Sequence, residues 1–80
     1  MNIITLDEFN NKARILEDDQ GRKLLISYDT VVCRIENGKF IRMWGGYSAT
    51  TMRHVNAFCE HYGIDGFGKS WWDKQEVEKQ

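Results

Sequence analysis

Lys23-Leu24-Leu25-Ile26-Ser27-Tyr28-Asp29-Thr30-Val31-Val32-Cys33-Arg34-Ile35-Glu36-Asn37-Gly38-Lys39-Phe40-Ile41-Arg42-Met43-Trp44 is the stretch whose reading decides the fold. It holds three β-rich runs, Lys23 to Tyr28, Val31 to Glu36 and Lys39 to Trp44, separated by Asp29-Thr30 and by Asn37-Gly38. Asn-Gly is the strongest short hairpin signal, because both central residues of a type I′ turn need positive φ. A two-residue turn there pairs Glu36 with Lys39, Ile35 with Phe40, Cys33 with Arg42 and Val31 with Trp44. Reading Asp29-Thr30 the same way pairs Tyr28 with Val31, Ile26 with Cys33 and Leu24 with Ile35. Both registers then gather Leu24, Ile26, Tyr28, Val31, Cys33, Ile35, Phe40 and Trp44 on one face, interrupted only by Arg42. The reverse face is mixed, as in an antiparallel sheet with one covered side.

Outward from this core the signals are shorter. Thr5 with Glu8 fits a capping box, which predicts a helix from Leu6 to about Asn11 presenting Leu6 and Phe9. Ala13 to Glu17 reads as an edge strand, and Asp18 to Gly21 as a turn. After Gly45-Gly46, Ser48 caps a predicted helix from Ala49 to Tyr62, stopped by Gly63. At 100° per residue, Met52, Val55, Phe58, Cys59 and Tyr62 form its packing face, while Arg53, Asn56 and Glu60 point away. Ser70 with Asp73 suggests a short terminal helix opening at Trp71-Trp72, with the chain fraying from Gln75 onward. The expected fold is therefore α+β: an antiparallel meander of three or four strands, one main helix across it, and short N- and C-terminal helices.

Composition narrows the function. Eighty residues at 41% apolar content form one small domain spanning 1–80, with little volume for a deep catalytic cavity. Eleven Lys/Arg against twelve Asp/Glu give a net charge of −1, which argues against binding free nucleic acid by charge alone. No membrane span or signal peptide is evident, so the expected setting is cytoplasmic. Cys33 and Cys59 form no C-x-x-C pair and read as core residues. On one helix Cys59 lies roughly 140° from His54, so His54, Cys59 and His61 do not make a ligand sphere. No metal, cofactor or catalytic group is expected, and the glycines match no phosphate loop.

Arg42, Trp44, Tyr47, Arg53 and His54 gather guanidiniums and rings around the diglycine and the main helix start, and Trp71 adds a second aromatic surface. Arginine and large aromatics anchor protein interfaces, and they also stack on bases and hold phosphates. These six residues are the expected partner-binding set.

Leu25-Ile26-Ser27-Tyr28-Asp29-Thr30-Val31-Val32, followed by Tyr47-Ser48-Ala49-Thr50-Thr51-Met52-Arg53-His54-Val55-Asn56-Ala57-Phe58, resembles a group of small uncharacterised proteins common in bacteriophages and mobile elements. The shared pattern is a Ser-Tyr-x-Thr strand end and a Tyr-Ser-x-Thr-Thr-x-Arg-His-x-Asn helix opening. Val31 and Cys33 depart from it, standing where proline and a small residue are expected, and Trp71-Trp72 lies outside it. The resemblance implies a non-enzymatic protein that binds a host protein or ribonucleoprotein effector and inhibits host defence, as an anti-CRISPR does. A homodimer is compatible with that setting. The alternative is a small nucleic-acid-binding or regulatory module built on the same Arg/aromatic cluster.

Overall fold

The computed structural model describes residues 2–6, 12–65 and 68–78. Five strands, β1 (Asn2–Thr5), β2 (Ala13–Glu17), β3 (Lys23–Ser27), β4 (Thr30–Glu36) and β5 (Lys39–Arg42), form an antiparallel sheet in sequence order. Helices α1 (Ala49–Tyr62) and α2 (Gly68–Lys74) follow. The class is α+β, with five strands where three or four were expected.

The additional strand is the β-branched run Ile3-Ile4-Thr5, which pairs with β2 through Ile4 opposite Ile15. Ala13–Glu17 is thus an inner strand flanked by β1 and β3, not the edge. Leu6 prolongs the β1–β2 ladder by donating its N–H to Ala13 O at 3.0 Å. Beyond Leu6, the helix expected up to Asn11 lies outside the described residues.

Asn37-Gly38 forms the expected turn, both residues at positive φ, and β4 and β5 pair Glu36 with Lys39, Ile35 with Phe40 and Cys33 with Arg42. That ladder ends at Arg42: the N–H groups of Met43 and Trp44 both turn to Val32 O. The first hairpin differs from its expected register. Its turn is Tyr28-Asp29, one residue early, with Ser27 opposite Thr30 and Ile26 opposite Val31. A bulge between Leu25 and Ile26 then sets Leu25 opposite Cys33 and Lys23 opposite Ile35. The β3 faces are consequently exchanged: Leu25 and Ser27 are buried beside Cys33 and Ile35, and Leu24 and Ile26 lie on the reverse side. Val32 and Cys33 are both buried because the bulge breaks strict alternation.

Helix α1 has the expected ends. Ser48 Oγ accepts from Thr51 N at 3.0 Å, a cap that contributes about 1 kcal/mol, and Gly63 at φ 69° closes the C-terminus as its neighbour Ile64 donates to Cys59 O at 2.8 Å. Met52, Val55, Phe58 and Cys59 are buried against Ile15, Leu25, Cys33 and Ile35, and Tyr62 seals the rim with its hydroxyl donated to Glu17 at 2.8 Å. That bond, with the one from Asn2, holds the Glu17 carboxyl below its ordinary range. Thr51 and His54 are buried as well, which widens the packed arc beyond the predicted apolar stripe.

Helix α2 starts at Gly68, so Ser70 lies within it instead of capping it, and Trp71-Trp72 sit at its middle. Trp72 is fully buried, and Trp71 rests on Phe40 with ring centroids 4.8 Å apart. Both helices therefore cover the face that carries Ile35, Phe40 and Arg42. The segment after α2 does not fray within the described residues. It runs parallel to β5, with Val77 bridged to Arg42 and Glu78 N donating to Arg42 O at 2.8 Å. Arg34 forks onto the Glu78 carboxylate, holding its pKa below the usual range.

Candidate functional site

Where the β3–β4 turn meets the start of α1, the chain leaves a cleft of about 290 Å³. Ser27, Tyr28, Thr30 and Val32 form one side, and Trp44, Tyr47, Ser48 and Thr51 the other. Tyr28 and Tyr47 stand about half exposed at its mouth, at 49% and 45%. Two local features set these rings. Tyr28 takes φ 56°, a left-handed conformation uncommon for a bulky side chain, because it occupies the first central position of the tight turn. Trp44 folds its indole over Gly46 so closely that a Cβ at that position would lie 2.4 Å from the ring. Only glycine admits this approach.

Behind the cleft, Ser27 Oγ and His54 Nδ1 lie 2.7 Å apart, joining β3 to α1. Ser27 is 2% exposed and His54 1%, and their hydrogen bond ties β3 to α1 beneath the cleft. Burial, assisted by the Lys12 charge, pushes the His54 pKa below its ordinary value. Protonation therefore favours the unfolded chain. As pH falls through about 6.5, where an unfolded histidine titrates, stability should decline by up to ~1.4 kcal/mol per pH unit until the folded His54 itself protonates. The urea midpoint should drop between pH 7.5 and 5.5, and His54→Asn should remove most of that drop. An unaltered drop in the variant would place the proton elsewhere.

The expected binding set separates. Trp44 and Tyr47 both line the cleft. Arg53 is exposed on α1 but is not part of the cleft wall. His54 lies buried beneath the cleft and not at a surface where a partner meets it. Trp71 is half-buried on Phe40, away from the cleft. Arg42 corrects the expectation most sharply. It is 7% exposed, and it donates Nε to Trp44 O at 2.8 Å, Nη1 to Trp72 O at 2.9 Å and Nη2 to Gly46 O at 3.2 Å. Its guanidinium lies 4.2 Å from the Trp72 ring centre, so it is an internal brace. Tyr28 is the site residue that sequence reasoning missed, having been assigned to the ladder. The available signal was Tyr-Asp between two β runs, weak because tyrosine rarely accepts positive φ.

The thiols of Cys33 and Cys59 are fully buried, and burial raises their pKa values, Cys59 to about 11 and Cys33 well above its ordinary range. Both stay protonated near neutral pH and do not act as thiolates. Among the described residues, no three His, Cys, Asp or Glu side chains are grouped to hold a metal ion, and no helix is long and apolar enough to cross a membrane.

No curated protein and no solved structure matches this chain. A family model matches residues 4–74, from β1 to the last residue of α2 and including both sides of the cleft. The chain belongs to that family, a family of unknown function designated DUF8033.

Proposed function

We propose that this is a non-enzymatic phage or mobile-element protein that inhibits a host-defence complex, in the manner of an anti-CRISPR, by seating its aromatic cleft on a protein surface in the host cytoplasm. The observation that carries the reading is the composition of the cleft. Ser27, Tyr28 and Thr30 from the Ser-Tyr-x-Thr strand end meet Tyr47, Ser48 and Thr51 from the helix opening, although more than fifteen positions separate the two motifs in the chain. Six residues of the two motifs behind the phage-protein resemblance thus surround one groove, with His54 beneath it. Half-exposed tyrosines beside a tryptophan supply rigid, amphipathic contact area of the kind that dominates protein interfaces. The nucleic-acid alternative is weakened, because Arg42 and His54 are internal and Arg53 is left without either cation beside it at the surface.

Phage plating on a host with an active CRISPR system tests the proposal. Wild-type protein should restore plating, and Tyr47→Ala should reduce its affinity for the purified effector by roughly 30-fold, equivalent to about 2 kcal/mol. Arg53→Ala should weaken binding less, in proportion to its place outside the cleft. Tyr28→Asn is the sharper probe, since asparagine tolerates positive φ: melting should hold or rise while inhibition falls. Full inhibition by a folded Tyr28→Asn/Tyr47→Ala protein would dismiss the cleft. Tight binding to bare DNA, falling steeply with salt, would favour the alternative.

A further inference from the structure

The face of the sheet turned away from both helices carries a second surface. Alternation along the strands places Leu16, Leu24, Ile26, Val31 and Ile41 there, all half-buried, with Ile3 62% exposed at one margin. Among the described residues, no helix or strand lies across it. We propose that it packs against the same face of a second copy, giving a dimer of two sheets with helices on both outer sides.

Three observations favour a second copy as the occupant. The first is area. Five strands about 4.8 Å apart and about 17 Å long present roughly 400 Å² in projection, and a pleated face exposes more than its projection. Two such faces together remove on the order of 1,000 Å² from water, the size at which specific association begins. The second is charge. Of the two arginines on this face, Arg34, in its middle, is neutralised within its own chain by Glu36 and Glu78, and Arg14, opposite Ile26 nearer the β3–β4 turn, donates Nη2 to Tyr28 O at 3.3 Å, so cationic repulsion is removed at Arg34. A net charge of −1 adds little long-range repulsion between copies. The third is shape: sheets pack face to face with their strands nearly aligned, and β3, the middle strand, supplies the central residues Leu24 and Ile26. The cleft lies on the helical side, so this pairing is independent of the function proposed for it and leaves it open.

Analytical ultracentrifugation of the intact chain from about 1 µM to 1 mM tests the inference. Wild-type protein should pass from monomer to dimer in that range, and Ile41→Lys should raise the dimer dissociation constant at least about 30-fold with an unchanged circular dichroism spectrum. Leu24→Glu should do the same. Should that central change unfold the chain, isotope-filtered NMR on a mixed labelled and unlabelled wild-type sample decides instead. Intermolecular contacts between the methyl groups of Leu24, Ile26 and Ile41 are expected. A wild-type monomer at 1 mM, a dimer indifferent to Ile41→Lys in folded protein, or intermolecular contacts confined to other residues would each overturn the proposal.

Discussion

Arg42→Met is expected to lower the melting midpoint by about 15 °C or more, or to leave the chain unfolded at room temperature. The carbonyls of Trp44, Gly46 and Trp72 each lose a donor, and Gln75 O, 3.4 Å from Nη1, loses a weaker one. Trp44 O loses its donor outright, while Gly46 O keeps the Trp72 indole N–H and Trp72 O keeps the Gln75 N–H; the loss is therefore chiefly that of three charge-assisted hydrogen bonds at about 1.5 kcal/mol or more each, partly relieved by water and by movement, so a net loss of roughly 3–5 kcal/mol follows. In a domain this small, 1 kcal/mol moves the midpoint by about 4–8 °C. Lysine should not rescue it, because one ammonium lacks the planar fork that reaches several carbonyls at once. An Arg42→Met protein melting within a few degrees of wild type would show that water or rearrangement satisfies those carbonyls.

Trp72→Ala should be as damaging, at about 3–5 kcal/mol, since it empties the largest fully buried side chain and removes the ring on which Arg42 lies. Trp72→Phe separates the two contributions. It retains much of the packing but loses the indole N–H that donates to Gly46 O at 2.9 Å, the same carbonyl that Arg42 holds. The Arg42→Met and Trp72→Phe changes should therefore be non-additive by at least ~0.5 kcal/mol in a double-mutant cycle read by urea unfolding. Strict additivity would mean that the two side chains brace the Gly45-Gly46 loop independently.

Local chemistry made the helical half and one hairpin legible. Asn37-Gly38, Ser48 and Gly63 are each suited to a single backbone geometry, and each stands where the sequence predicts. The first hairpin was misread because its turn is made by Tyr28 at positive φ and its register is shifted by a bulge, neither of which residue preferences disclose. With Leu-Leu-Ile in succession, β3 could present either parity to the core, so the apolar pattern did not correct the error. The site was legible in part. Tyr47 and Trp44 followed from residue type beside a helix start, but the burial of Arg42 and His54 depends on α2 and β3 arriving from distant parts of the chain. Tertiary contacts of that range leave no periodicity in a single sequence.

The bridge that Val77 and Glu78 make with the end of β5 bears on how further strands can join this sheet. An open antiparallel sheet has two outer strands, and growth of a cross-β stack by strand addition requires that both accept a newcomer. At β5 the Arg42 end is taken: the main-chain bond from Glu78 to Arg42 and the Arg34 fork hold a piece of the same chain where a foreign strand would enter. A strand adding at β5 has to displace that bridge and the Arg34–Glu78 ion pair, whereas one adding at β1 displaces no such contact among the described residues.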